Sequence, residues 1–352
     1  MDRDAQNVQA STKESAQANQ MAQMFGGRSV LPQMAEVLDM LESLHGKPIE
    51  QLDAAGARKQ PTPTDAVRRL LEERDANADP EAVGDVDNRT IAGPAGDIPI
   101  RIYTPASARE GSPLPVVFYI HGGGWVIADL DVYDSSPRAL CNAAHAIVVS
   151  THYRQGPENR FPAAHDDTFA AYKWTVENAA ELGGDPVRIA IVGESAGGNM
   201  AAGICIRARD ENVQAPLHQV LVYPVADHSM STESYREMAQ AIPLNSAMMG
   251  WFFENYLRSP GDGTLPQLSL LNANLAGVAP ATIICAELDP LRSEGEALAG
   301  KLKDAGVETR QQTYAGVTHE FFGMGAVLDT ARDAVHFAAA GLMQAFGTMP
   351  AR

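Results

Sequence analysis

The stretch Arg188 to Met200, R-I-A-I-V-G-E-S-A-G-G-N-M, decides how this chain is read. Ile189 to Val192 is a short apolar run of the kind that forms a strand buried on both faces. From Asn199 the residues N-M-A-A-G-I-C-I-R-A-R are mostly small and apolar and read as a helix. Between them, Gly193-Glu194-Ser195-Ala196-Gly197 must reverse the chain at once. So sharp a turn holds its apex residue in strained backbone, and glycines on either side let strand and helix approach closely. Ser195 then projects its hydroxyl clear of the sheet at the N-terminus of the helix, as in a nucleophile elbow. A glycine-rich turn with a capping serine fits the same five residues, so the rest of the chain has to choose.

The surroundings alternate between strand and helix. Val86–Ile91 and Ile98–Tyr103 read as a hairpin around a Gly-rich turn, and Pro115–Ile120, Ala146–Tyr153, Gln219–Val225, Thr282–Ala286 and Glu308–Tyr314 as further strands. Ala163–Ala180, Leu291–Ala305, Asp329–Phe346 and the segment around W-F-F-E-N-Y-L read as helices. Such alternation predicts an α/β fold, a mostly parallel sheet with helices on both faces. No strand signal precedes Val86. Residues 1 to about 20 are polar, either a tail or a weak helix. Met21–Leu44 and Pro61–Asn77 have helical apolar spacing, so residues 1–80 are expected to form a helical appendage beside a catalytic domain at 81–352. This appendage is expected to act as a lid that need not build the core. Met21, Met24, Phe25 and Met34 are its candidates for covering a pocket.

The net charge of −17 across 352 residues disfavours nucleic acid or an anionic membrane as a partner, because both require a basic surface. Cys141, Cys205 and Cys285 lie in apolar surroundings without a C-x-x-C spacing, so they read as buried thiols and not as a zinc site or a disulfide framework. With no apolar h-region in M-D-R-D-A-Q-N-V-Q-A, a cytoplasmic location is expected, and no apolar run is long enough to span a membrane. No H-E-x-x-H, and no G-x-G-x-x-G after a strand, points to a metal or a dinucleotide cofactor.

A serine hydroxyl is a weak nucleophile until a base, an acid orienting that base, and oxyanion donors surround it. Two histidines follow the elbow late enough in the chain. His319, in V-T-H-E-F-F, follows a strand on a loop, whereas His336 sits mid-helix. Asp289, in E-L-D-P-L-R, ends a strand and precedes a proline that opens a helix; Glu287 is the less favoured acid. His121-Gly122-Gly123-Gly124-Trp125 follows an apolar strand about 70 residues ahead of the elbow. The pair of motifs is far more specific than either alone. It assigns the backbone N–H groups of Gly123, Gly124 and Ala196 to an oxyanion, with His121 anchoring the loop.

These residues give the chain a resemblance to the hormone-sensitive-lipase-like esterases, family IV of the bacterial lipolytic α/β-hydrolases. The matching motifs are H-G-G-G-W at 121–125, Y-R-Q-G-P-E at 153–158, F-P-A-A at 161–164, G-E-S-A-G-G-N at 193–199, D-P-L-R at 289–292 and H-E-F at 319–321. The resemblance covers about residues 86–346. It implies an α/β-hydrolase fold with an eight-stranded sheet, and Ser195, Asp289 and His319 as nucleophile, acid and base. It also implies a cap built from the N-terminal helices and a second segment at about 228–266, and pairing of two copies through the last strand and helix. The chain departs from the family pattern at Glu194, at Gln155-Gly156 and at Ser269-Leu270, positions that bear on the pocket.

The function expected is a serine carboxylesterase acting on small, uncharged acyl esters, without cofactor or metal. Trp125, Phe321 and Phe322 adjoin the reactive residues and are expected to line the pocket. The competing readings are an amidase or lipase with the same triad, and a non-catalytic ligand-binding protein on a hydrolase scaffold. His319, in a matching context, argues against the last.

Overall fold

The computed structural model describes residues 21–108 and 112–349. The expected hairpin is β1 (Asp85–Gly93) and β2 (Gly96–Thr104), paired antiparallel. Then follow β3 (Leu114–Ile120), β4 (Ile147–Thr151), β5 (Gly184–Glu194), β6 (Gln219–Val222), β7 (Ala281–Leu288) and β8 (Thr309–Thr318). The eight strands form one sheet in the order β1-β2-β4-β3-β5-β6-β7-β8. β2 joins β4 antiparallel, and every pairing from β4 through β8 is parallel.

Parallel strands need crossover helices, and these cover both faces. They include α4 (Ser135–Ala144), α5 (Ala163–Asn178), α6 (Ala196–Asp210), α9 (Arg292–Asp304) and α10 (Asp329–Phe346). β4 and β6 are buried along their whole length and β3 from Pro115 onward, which explains their near-continuous apolar sequences. Cys141, Cys205 and Cys285 are buried free thiols.

Two strands end differently from their sequence pattern. β6 stops at Val222, not Val225, because Tyr223 has φ of 34° and Pro224 has no N–H for the ladder. β8 runs on to Thr318 past Gly316, whose φ of 68° accommodates a register shift against β7.

The N-terminal helices are α1 (Pro32–Ser43), the single turn α2 (Ala54–Ala57) and α3 (Pro63–Glu73). The long helix expected over Met21–Leu44 is broken at Gly26 and Gly27, whose φ values are 60° and 83°, and restarts at Pro32. α3 begins with a capping box between Thr62 and Asp65.

The expectation that this segment does not build the core is corrected here. Phe25, Met34, Val37 and Leu38 are fully buried in one cluster with the sheet residues Tyr103, Val117 and Tyr119. Polar ties add to the packing. The Arg58 guanidinium donates to the carbonyls of Val126 and Gly156 at 2.8 and 2.7 Å and pairs with Glu158 at 2.7 Å. The second segment expected in the cap, at about 228–266, contains α7 (Glu233–Glu237) and α8 (Ser246–Tyr256). The Trp251 indole of α8 donates to the Leu52 carbonyl at 3.0 Å, which joins the two segments.

Candidate active site

β5 ends at Glu194 and α6 starts at Ala196, so a single residue, Ser195, makes the turn. Its φ of 58° and ψ of −119° are strained for a residue with a side chain. A Cβ on Gly193 would collide with the Gly197 carbonyl, and one on Gly197 with the Ile120 carbonyl, so both positions require glycine. Asn199, on the first turn of α6, donates to the carbonyls of Val225 and Leu268 and fixes the loops beside the elbow.

Asp289 and His319 are the first residues past the adjacent strands β7 and β8. The side chains of all three meet. His319 Nε2 lies 2.9 Å from Ser195 Oγ, and its Nδ1 lies 2.7 Å from Asp289 Oδ2. A carboxylate only accepts hydrogen bonds, so Nδ1 carries the proton and Nε2 faces the hydroxyl as an acceptor. The other oxygen of Asp289 accepts from the Leu291 N–H at 2.8 Å. Ser195, His319 and Asp289 are all buried. Burial alone would lower the His319 pKa. The charge and hydrogen bond of Asp289, joined by the charges of Glu320 and Glu194, outweigh it and hold the imidazole above its ordinary value.

The His121–Gly124 loop follows β3 at the same end of the sheet. Gly123 and Gly124 have φ of 94° and 57°, and a Cβ on either would strike the Ile127 carbonyl or the Phe252 ring. Among the described residues, the N–H groups of Gly123, Gly124 and Ala196 meet no acceptor. His121 is buried and bonds the Gly122 carbonyl at 2.8 Å and His152 at 3.0 Å; the Tyr153 hydroxyl donates to the same carbonyl at 2.7 Å. Burial, then the neighbouring His152, lowers the His121 pKa to about 3, so this ring stays neutral and structural.

Ser195, His319, Gly123 and Gly124 open into a cavity of about 1080 Å³. Its walls come from the N-terminal segment, with Met24, Leu41 and Ile49, and from the second segment, with Leu244, Met248 and Phe252. Met24 is part of this wall. Trp125, Phe25, Phe321 and Phe322 are not in this wall, which corrects their expected place. Trp125, turned by a φ of 60°, stacks on Tyr256 at 4.9 Å between ring centres. Phe25, Phe321 and Phe322 pack in the core, with the Phe321 ring against Tyr223 and Tyr314. His336 is exposed on α10. Glu287 does not reach His319; it pairs with Arg28 at 3.1 Å and accepts from the Gly316 N–H at 2.8 Å.

Two further carboxyl groups stand behind the serine: Glu194, where the chain departs from the family motif, and Glu320, to which the sequence assigns no role. Glu194 is buried and accepts from the hydroxyls of Tyr119 and Tyr223. Burial, then the charge of Glu320, pushes it up to about 7 against the pull of those hydroxyls. Glu320, at a φ of 69°, accepts from the Tyr133 hydroxyl at 2.5 Å and has Oε1 3.9 Å from His319 Nε2. The motif positions 194 and 320 were visible, but the tyrosines that give them meaning come from separate elements.

The alpha/beta hydrolase fold family matches residues 117–323. Carboxylesterase NlhH of Mycobacterium tuberculosis is 41% identical over 255 residues, 71% of this chain and 79% of that protein. The ethyl acetate hydrolase of Pseudomonas putida is 33% identical over 322 residues, 90% of this chain and 99% of that one. The solved esterase of Pyrobaculum calidifontis superposes with a TM-score of 0.81 at 35% identity, covering 90% of this chain and 98% of that one. No described helix is long and apolar enough to cross a membrane. Sequence, sheet order and these relatives agree: the chain belongs to the hormone-sensitive-lipase-like esterases of the α/β-hydrolase superfamily and is a carboxylic ester hydrolase.

Proposed function

We propose that this protein is a serine carboxylesterase that hydrolyses short- to medium-chain acyl esters through an acyl-enzyme on Ser195. The observation that carries the reading is the hydrogen-bonded chain from Ser195 through His319 to Asp289, at 2.9 and 2.7 Å, opening into a cavity. His319 Nε2 takes the Ser195 proton as Oγ attacks the ester carbonyl. Asp289 fixes the imidazole tautomer and stabilises its cation. The N–H groups of Gly123, Gly124 and Ala196 receive the oxyanion, and the leaving alkoxide takes the proton from Nε2. Water then repeats the sequence on the acyl-enzyme and releases the acid. None of these steps calls on a cofactor.

The acyl range rests on the Met, Leu, Ile and Phe side chains in the cavity wall, and on a relative named for ethyl acetate. Residues up to about 80 and the segment at about 228–266 act together as the cap that bounds this cavity. Three buried free thiols favour a reducing compartment such as the cytoplasm. The test is turnover of p-nitrophenyl esters from C2 to C16, alongside matched anilides, by the protein and by Ser195→Ala. Preference for short and medium esters, lost in the variant, supports the reading. Faster anilide cleavage points to an amidase, a C16 optimum to a lipase, and binding without turnover to a ligand-binding protein.

A further inference from the structure

The first half of the reaction has a complete set of partners in the residues above. The second half needs a water molecule at the same imidazole, and the structure offers a place for it. Glu320 Oε1 stands 3.9 Å from His319 Nε2. That is too long for a hydrogen bond and short enough for one water to bridge. The Tyr133 hydroxyl holds the carboxylate at 2.5 Å, and Glu320 Oε2 has no partner among the described residues. Tyr133 is itself fixed, because its hydroxyl packs so tightly on Gly122 that no Cβ fits there.

Glu320 and Tyr133 also form part of the partition between two cavities. They line the one that holds Ser195, and they line a second, of about 600 Å³, that does not reach Ser195. Polar residues of the Asp131–Ser136 turn line this second cavity. The second cavity therefore lies beside Glu320 on the side away from the space an acyl group on Ser195 would fill.

We propose that Glu320 is a positioning residue for deacylation, holding the attacking water between its carboxylate and His319 Nε2. This rests on the serine mechanism above. In the acyl-enzyme, Oγ is esterified and no longer donates to Nε2, so the imidazole lone pair turns to the bridging water. One water proton goes to Nε2 and the other stays hydrogen-bonded to Glu320, while the water oxygen bonds to the acyl carbon. The tetrahedral intermediate collapses, the bond from the acyl carbon to Oγ breaks, and Oγ recovers the proton from Nε2. Glu320 ends as it began. Acylation needs no such water, and Glu320 bears on it only through the charge it lends to His319.

Stopped-flow hydrolysis of p-nitrophenyl acetate separates the two halves. Burst phase reports acylation, and the steady state reports deacylation once that step limits. Glu320→Gln, which keeps shape and removes charge, is expected to slow the steady state about tenfold or more beyond any slowing of the burst, which feels only the altered charge near His319. Tyr133→Phe, which frees the carboxylate without removing it, is expected to change the same ratio in the same direction by less. Equal slowing of both phases in Glu320→Gln, or no slowing of either, overturns the proposal. If Glu320→Gln does not fold, the Tyr133→Phe ratio decides alone, and an unchanged ratio there overturns it. Ser195→Ala keeps the two ideas apart: turnover surviving in that variant sinks the serine mechanism, whereas its loss beside an unchanged ratio sinks only the role of Glu320.

Discussion

Leu288 and Thr318 are registered partners at the ends of β7 and β8, so the residues that follow them, Asp289 and His319, leave the sheet side by side. The 2.7 Å contact between carboxylate and imidazole is thus set by strand pairing and not by loop closure. Positions fixed in this way hold the imidazole without a mobile step, the kind of preorganisation a proton-transfer site needs.

Ser195→Ala and His319→Ala are each expected to lower kcat by roughly four decades or more, with little further loss when combined. Asp289→Asn is expected to be nearly as damaging, because an amide turned to donate toward Nδ1 favours the wrong tautomer. Steady-state kinetics on p-nitrophenyl butyrate, with circular dichroism to show folding, is the check. Near-normal turnover in His319→Ala would exclude it as the base.

Activity is expected to fall on the acid side along one dominant titration with a midpoint above the ordinary histidine value of about 6.5. The base must be neutral; burial works against its cation, but the charge and hydrogen bond of Asp289 together with the charges of Glu320 and Glu194 outweigh burial and hold the proton as pH rises. A kcat/KM profile that is flat from pH 8 down to 5, with the fold intact, contradicts this.

Stability is expected to respond to Glu194 in the opposite sense to an exposed acid. Its pKa is raised to about 7, mainly by burial, so the folded chain keeps a proton that the unfolded chain has lost between about pH 4.5 and 7. Stability contributed by this group is greatest below pH 4.5 and declines as pH rises through 7, by of the order of 3 kcal/mol. Glu194→Gln should therefore unfold at a higher denaturant midpoint than the parent at pH 8, with the gap closing toward pH 5. An unchanged or lower midpoint at pH 8 refutes it.

Gly124→Ala is expected to cost about 10²–10³ in kcat. The added Cβ strikes the Phe252 ring and disfavours the φ of 57°, so it displaces one of the N–H groups proposed to receive the oxyanion. KM should change far less than kcat. The reverse split would move Gly124 from charge stabilisation to substrate binding.

Removing residues 1–45 is expected to abolish folding and not merely to alter chain-length preference. Phe25, Met34, Val37 and Leu38 are fully buried with the sheet, and at about 1.5–3 kcal/mol each their loss rivals the entire stability of a typical domain. A soluble truncated protein with a cooperative melt would restore the idea of a detachable lid.

Much of this was legible because the reactive residues sit where strands end, and strand ends are marked by apolar runs that stop. Ser195, Asp289, His319 and the glycine loop each follow such a run. The pocket was less legible, because adjacency in sequence does not set the direction of a side chain. Trp125 and Phe321 neighbour reactive residues, yet a left-handed backbone at 125 and core packing at 321 turn them away. Glu194 stands out in the sequence only as a departure from the family motif and Glu320 only as part of H-E-F, because Tyr119, Tyr133 and Tyr223, which converge on them, lie on separate elements.

The elbow is clamped by main-chain atoms alone. The Ser195 N–H donates to the Val222 carbonyl at 2.9 Å, and the Ser195 carbonyl accepts from the N–H groups of Val225 and Asn199 at 3.2 and 3.1 Å. No side-chain atom of residue 195 holds the turn, so its shape survives loss of the hydroxyl. An alanine there leaves a mould of the site, with the N–H groups of Gly123, Gly124 and Ala196 and the imidazole in place. On the mechanism proposed above, such a protein is expected to bind an intact ester and not consume it. It is therefore a reagent for fishing the physiological ester out of a metabolite extract.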